Sequence, residues 1–336
     1  MRVRVLFNRP IFSNAVHIDT VQISHAYRNT DLPPPNDLEK LNFDLNLKNR
    51  GQNKIMTAYS KPNKLNPHAP RLSIIISEHG YSGIKVEVSI AKLLDGIGLA
   101  VQTDEDIECA LDAIEDYIRN RIGVNFDART AKVKRYDANA DFLVGEKRIQ
   151  SYLKAISSPN ARLITATFGT TTKQFHNKTR TLIVYSKYEE MKNAYKNGKV
   201  RLEDVKAAEG LLRVEQRIKN LQEVNRLAYQ LSLPADSGHL FTTSVASTLV
   251  DKTLSELGLD NTIISYEKRD NLLIEKFGYD AALMLGTLEF RARRGERFWK
   301  ELRWSQSTYY RKKAMLEKYN LWNISPSEEL PALIIK

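Results

Sequence analysis

The segment K-V-K-R-Y-D-A-N-A-D-F, residues 132–142, constrains the fold more than any other stretch of the chain. Strand side chains alternate faces, so Arg135, Asp137, Asn139 and Asp141 fall on one face while Tyr136, Ala138, Ala140 and Phe142 take the other. One wholly polar face with a packed face behind it suits an antiparallel sheet. In K-V-E-V-S the same alternation sets Lys85, Glu87 and Ser89 against Val86 and Val88. In L-L-R-V-E-Q-R-I-K it sets Arg213, Glu215 and Arg217 against Leu212, Val214 and Gln216 if the stretch is a strand; helix competes there, because Glu, Gln, Arg and Lys favour it.

Further extended runs are expected near Val3–Phe7, Val16–Val21, Leu72–Ile76 and Leu163–Phe168, with a proline loop at Pro33, Pro34 and Pro35. Thr103 can cap a helix over Asp104–Arg121 whose buried stripe is Ile107, Leu111, Ile114 and Ile118, and Gly123 closes it. Shorter helices are expected over 146–160, 188–198 and from Leu202 to Glu209, and residues 169–178 read as a polar loop. The fold class is α+β: an antiparallel sheet backed by helices over residues 1–233, then a helical region over 234–336.

The chain carries 51 Lys and Arg against 40 Asp and Glu, a net charge of +11, which favours a polyanionic partner, nucleic acid first. A membrane is disfavoured, for want of a long apolar span or a basic amphipathic helix with an aromatic anchor. Cys109 is the single cysteine, so neither an internal disulfide nor a thiolate zinc cluster can form. With no signal-peptide pattern in the first ten residues, a reducing cytoplasm is expected.

T-R-T-L-I-V-Y-S-K-Y-E-E-M, residues 179–191, reads as a strand running into a helix, with a tyrosine at the junction. Continued alternation points Tyr185 and Lys187 the same way. A phenol beside an ammonium can attack a phosphodiester, the cation holding the phosphate or stabilising the phenolate; an ordinary sheet-face tyrosine with a solvated lysine is the competing reading. Glu87, Asp137 and Glu215 can converge on a face shared with Tyr185, Lys187, Arg135 and Arg213. Carboxylates repel a polyanion unless a cation bridges them, and Mg2+ or Mn2+ supplies that bridge. Salt bridges among Arg135, Asp137, Arg213 and Glu215 are the alternative.

With these segments in view, the chain resembles the gene II and gene X replication proteins of filamentous phages and their plasmid and prophage relatives. The matching pieces are V-E-V-S-I-A-K-L-L-D-G, K-V-K-R-Y-D-A-N-A-D-F, N-K-T-R-T-L-I-V-Y-S-K-Y-E-E-M and L-L-R-V-E-Q-R-I-K, in the family's order, from about residue 84 to residue 220. The resemblance implies an enzyme that nicks one strand of a double-stranded origin, stays joined to the 5′ phosphate through tyrosine and later reseals the displaced strand as a circle. It puts the nucleophile on Tyr185 and the following lysine on Lys187, and matches Asp137, Glu215 and Glu87 to acidic, metal-binding positions. The His-hydrophobic-His motif of other tyrosine nickases does not occur, so an all-carboxylate site for Mg2+ or Mn2+ is implied, with His176 as a helper. Initiators of this kind sometimes alternate two tyrosines, which would make Tyr188 the second; the single-nucleophile reading, on Tyr185, is preferred.

From Leu285 to Lys318 there are ten Lys and Arg against four Asp and Glu. Two helices with a short link, the second beginning S-Q-S-T-Y-Y-R-K-K, look like a helix-turn-helix. Ser305, Gln306 and Thr308 would reach base edges, and Arg311, Lys312 and Lys313 phosphates, with Arg135, Arg213 and Arg217 as DNA contacts on the sheet. The expected partners are origin duplex and its displaced single strand, with a host helicase and polymerase. The competing functions are a non-catalytic DNA-binding regulator of the same family, in which Tyr185 is dispensable, and an RNA-binding module using sheet aromatics.

Overall fold

The computed structural model describes residues 14–50, 53–61, 68–78, 82–99, 102–156, 159, 162–281, 284–288, 305–325 and 328–335. The strand expected at Val3–Phe7 lies outside them. The chain forms two compact units: residues 1–139, 178–180 and 216–249 make the first, and 140–177, 181–215 and 250–336 the second.

In the first unit the strands are β1 (Val16–Tyr27), β2 (Phe43–Arg50), β3 (Asn53–Ser60), β4 (Arg71–Ser77), β5 (Ser82–Ser89) and the leading part of β6 (Lys132–Leu143), neighbours in the order β2-β3-β4-β5-β1-β6. β1 runs well past the expected Val21, and β2 and β3 were not among the expected strands. β2 does alternate, Phe43, Leu45 and Leu47 against Asp44, Asn46 and Lys48, a signal the sequence reading missed; β3 shows no clean alternation, and pairing with β2 and β4 makes a strand of it. Val21, Ile23, Leu72, Ile74, Ile84, Val86 and Val88 are buried, each two residues from the next along its strand. α1 (Pro35–Lys40) begins on a proline, whose fixed φ and missing N–H suit the first helical turn; the proline loop therefore ends in a helix.

α2 (Ile90–Asp95) packs on β1 and β5 and against α3 (Asp104–Ile122). Thr103 and Asp106 cap α3 reciprocally: Asp106 N donates to Thr103 Oγ1 at 3.2 Å and Thr103 N donates to Asp106 Oδ2 at 2.9 Å. Gly123 stops it at φ +72°, a left-handed conformation that disfavours any Cβ. The expected stripe of Ile107, Leu111, Ile114 and Ile118 is buried throughout. Burying each of these contributes about 1.5–3 kcal/mol over leaving it in water.

In the second unit the end of β6, most of β10 (Leu211–Ile218), β9 (Arg180–Ser186), β8 (Thr172–His176) and β7 (Ile164–Phe168) are neighbours in that order. The expected loop over 169–178 contains β8: it forms a hairpin with β7 and pairs antiparallel with β9. Helices α5 (Lys187–Lys196) and α6 (Leu202–Ala207) follow their predicted spans to within two residues at each end, whereas α4 (Glu146–Ala155) stops short of the expected residue 160, Ile156 being already extended. α7 (Leu221–Leu231) and the one-turn α8 (Ser237–Leu240) belong to the first unit, and α9 (Thr243–Leu257) begins there. The C-terminal region is mostly helical, with α10 (Tyr266–Phe277), α11 (Gln306–Lys318) and a small parallel pair, β11 (Ile264–Ser265) and β12 (Ile324–Ser325). Its core gathers Ile264, Leu273, Met284, Leu288, Tyr309, Leu316, Leu321 and Trp322.

Candidate nicking site

The sequence of β9 decides where the tyrosine sits. Thr181, Leu182, Ile183 and Val184 are all buried and hold the strand in the sheet; Tyr185, next to last, is half-buried and pairs with Thr172 of β8. Ser186 then ends the strand, because its Oγ accepts from Glu189 N at 3.3 Å and caps α5. Lys187 is therefore the first residue of a helix, and the strand alternation that aligned it with Tyr185 stops one residue before it.

Lys187 is nonetheless buried, at 1% exposure, and its Nζ donates to Glu190 Oε2 at 2.5 Å. Burial lowers its pKa, the Arg213 charge lowers it further, and Glu190 and Asp141 oppose the shift. It is a weakened cation inside the protein, short of a solvated phosphate clamp.

Arg213 is the stronger cation near the tyrosine. Only 2% exposed, it forms a two-pronged pair with Asp141, Nε to Oδ1 at 2.6 Å and Nη2 to Oδ2 at 2.5 Å. Burial pulls its pKa down, but the Asp141 carboxylate and then the Tyr185 phenol outweigh that, and the guanidinium holds its proton more tightly than a free arginine does. Glu215, two residues along β10 on the same face, is 1% exposed.

The polar face of β6 is buried as well, which alternation alone cannot reveal: Asp137 and Asp141 are 1% exposed and Asn139 is 0%. In the first unit Arg135 grips Asp137, with Nε 3.1 Å from both carboxylate oxygens and Nη2 2.5 Å from Oδ2. Arg217 Nε stands 3.9 Å from the same carboxylate. Burial lowers the Arg135 pKa, yet the hydrogen bonds and charge of Asp137, with the charge of Glu87, raise it overall. Glu87 is half-buried and accepts from Gln22 Nε2 at 3.0 Å.

Among the described residues no group of three acid, His or Cys side chains is gathered as a metal centre. The donor chemistry nevertheless suits a hard cation, since Asp137 and Glu215 are carboxylates. The buried amide of Asn139, on the Asp137 face of β6, has neither polar atom hydrogen-bonded. An ion on Asp137 requires the Arg135 fork to leave that carboxylate. His176 lies on β8 opposite Thr181 whereas Tyr185 lies opposite Thr172, so four residues, about 13 Å of strand, part the histidine from the tyrosine's partner.

The C-terminal helix is capped as expected, Ser305 Oγ accepting from Thr308 N at 3.1 Å. Ser305 and Arg311 are exposed, and Thr308 and Lys312 are half-buried. Lys313 is different: 4% exposed, it donates to Pro159 O at 2.7 Å and lies 5.2 Å from the centre of the Trp322 ring. It supports the C-terminal core rather than presenting itself to a phosphate. The buried stripe of α11 is Tyr309, Lys313 and Leu316, with Ala314 and Met315 outside it. The Gln306 side chain and the link of the expected helix-turn-helix lie outside the described residues.

Asp141, Glu190 and Asn139 were absent from the residues singled out for chemistry. The alternation of β6 had already put Asp141 and Asn139 on the right face; burial is what marks them. Among the described residues no helix is long and apolar enough to cross a membrane. No curated protein matches the chain. Residues 19–234, well over half of its length, match the family of replication-associated proteins of the gene II type, over that family's N-terminal region, and all four sequence motifs lie inside that span. The chain thus belongs to this phage family of replication-associated proteins, which ties it to DNA replication.

Proposed function

We propose that the protein initiates rolling-circle replication by nicking one strand of a double-stranded origin with Tyr185 and later rejoining the displaced strand. The observation that carries this reading is a half-buried strand-end tyrosine in the field of Arg213, a guanidinium locked in its charged form by Asp141. A phenol usually ionises near pH 10. A buried, permanently charged neighbour favours the phenolate as it forms and offsets charge on the phosphate in the transition state.

Tyr185 Oη attacks the scissile phosphorus, the new P–Oη bond replaces the P–O3′ bond, and the departing 3′ oxygen takes up a proton. The phosphodiester energy is kept in the phosphotyrosine link. A 3′ hydroxyl reverses the step, loses its proton and releases the tyrosine, so no nucleotide cofactor is consumed. Lys187, with its depressed pKa and its contact to Glu190, is suited to exchange the tyrosine's proton. Asp137 of the first unit and Glu215 of the second are each proposed as a carboxylate for Mg2+ or Mn2+, which would supply charge neutralisation at the phosphate when bound. Ser305, Thr308, Arg311 and Lys312 remain the residues proposed to read origin duplex.

The test is incubation of wild type and Tyr185→Phe with supercoiled DNA carrying the cognate origin, in magnesium, manganese or EDTA, followed by denaturing electrophoresis. Nicked circles with a protein-linked 5′ end that require both the metal and Tyr185 support the reading. Bound but uncut origin in either metal overturns it, and leaves a DNA-binding regulator. A protein-linked end that persists in Tyr185→Phe and vanishes in Tyr188→Phe moves the nucleophile to Tyr188.

A further inference from the structure

Away from the tyrosine, the first unit holds a cavity of about 330 Å³ lined by Gln22, Ser24, Lys85, Lys134, Lys219 and Asn220 among others. It is built by register. Ser24 of β1 pairs with Lys85 of β5, which pairs in turn with Ser73 of β4, so three polar side chains form a row across the sheet face opposite the Val86 and Ile23 core. Tyr59 of β3 pairs with Ser73 and extends the row, its ring 45% exposed. Lys134 comes from β6 and Lys219 from the end of β10.

Each of two lysines at the recess stands among other cations. Burial lowers the Lys134 pKa and Lys132 and Lys85 lower it further; burial lowers that of Lys219, followed by Arg217 and Arg135, with Asp137 opposing. Glu87, on the same face as Lys85, accepts from Gln22. Cations gathered at a recess with neutral donors beside them are complementary to a phosphodiester. A recess of this volume admits a strand's phosphate but not a duplex. An exposed aromatic on the same sheet row offers a stacking surface to an unpaired base.

We propose that this cavity binds the backbone of single-stranded DNA, with Lys85, Lys134 and Lys219 on its phosphates, Gln22, Ser24 and Asn220 as neutral donors, and Tyr59 stacking a base. The inference rests on the nicking reading in that a displaced strand is the ligand such an enzyme would have to keep. It assigns that ligand to residues outside the tyrosine site.

The experiment is fluorescence anisotropy of a labelled oligodeoxythymidine, which lacks any origin, titrated with full-length protein over a range of salt. Wild type is compared with Lys134→Ala/Lys219→Ala, with Lys134→Arg/Lys219→Arg, and with a control altered at the exposed Lys147 and Lys196. Each lysine withdrawn from the phosphates of a single strand should reduce the slope of log K against log salt by about 0.7, so the alanine pair should lose about 1.4. The arginine pair and the control should keep the wild-type slope. Tyr59→Ala should weaken binding with the slope unchanged. An alanine pair that unfolds at the wild-type urea midpoint yet keeps the full slope overturns the proposal, and so does a slope loss confined to duplex DNA. If the alanine pair itself unfolds early, Lys85→Gln, whose backbone stays in the ladder, must lose about 0.7 or the proposal falls. Origin nicking by wild type is scored separately: nicking with unaltered lysine slopes removes only this inference, and lysine-dependent strand binding without nicking removes only the enzyme.

Discussion

Replacing Asp141 probes the arrangement that sets the charge near the tyrosine. Its side chain is 1% exposed and that of Arg213 3%, so both ions have left water and depend on each other. Removing one partner of such a pair costs about 3–5 kcal/mol, whereas removing both in favour of apolar side chains is about neutral or stabilising. The surroundings make the two single losses unequal. Without Arg213, Asp141 still feels the Lys187 ammonium; without Asp141, the charges of Arg213 and Lys187 act on each other, with Glu190 still opposing. Asp141→Leu should therefore fall at the upper end of that range and Arg213→Met at the lower. For a unit of this size the former lowers the melting temperature by roughly 8–20 °C at about 2–4 °C per kcal/mol. The double variant should recover to within about 1 kcal/mol of wild type, a coupling of at least ~5 kcal/mol in a double-mutant cycle read by urea denaturation. Single losses that simply add, to within about 0.5 kcal/mol, would refute the claim that these charges depend on each other. The recovered double variant then serves in the origin assay: folded but without the cation, it should leave supercoiled DNA uncut, and full nicking by it would remove Arg213 from the mechanism.

Three other outcomes follow from the same geometry. Because the folded pKa of Lys187 lies below its unfolded value of 10.5, the unfolded chain binds more protons between the two, and stability rises with pH through that window. Lys187→Met should flatten this rise in urea midpoints measured from about pH 7 to pH 10.5, and an unchanged profile would show that the lysine is solvated. Asn139→Leu should stabilise the protein by about 1–3 kcal/mol, since it removes a buried amide without hydrogen-bond partners, while abolishing metal-dependent nicking; a destabilised but active variant contradicts both halves. Lys313→Ala should lower the melting temperature and leave the salt slope of duplex binding intact, whereas Arg311→Ala should reduce that slope by about 0.9 with little change in melting.

What the sequence disclosed and what it hid divide along physical lines. Period-two alternation around Asp137 and Arg213 announced the strands and their faces, and the Thr103 cap with the Ile107 stripe announced α3, because each is a local property of the chain. β3 and β8 were hidden because short strands such as Thr172–His176, mostly polar and joined to their neighbours by tight hairpins, carry little pattern of their own, whereas the alternation of Phe43, Leu45 and Leu47 in β2 was there to be read. Lys187 was misplaced by one residue's worth of strand, an error that the serine before it, a strong helix cap, could have corrected. The burial of Asp137, Asn139 and Asp141 was beyond reach, because a polar face against water and a polar face against protein have the same spelling. Lys313 failed for the converse reason: an amphipathic side chain spelled as surface lay over Trp322 with its ammonium on a backbone carbonyl.

β9 lies between β10 and β8 and ends directly in the capped helix α5. That position has a mechanical meaning once Tyr185 carries a strand of DNA. Ladder hydrogen bonds run perpendicular to the strands, so tension along β9 loads in shear the two ladders it shares with its neighbours, where an edge strand would have one. A pull on a strand so attached would act against both ladders together. Under the nicking mechanism proposed above, the attachment point would thus serve as an anchorage able to bear traction.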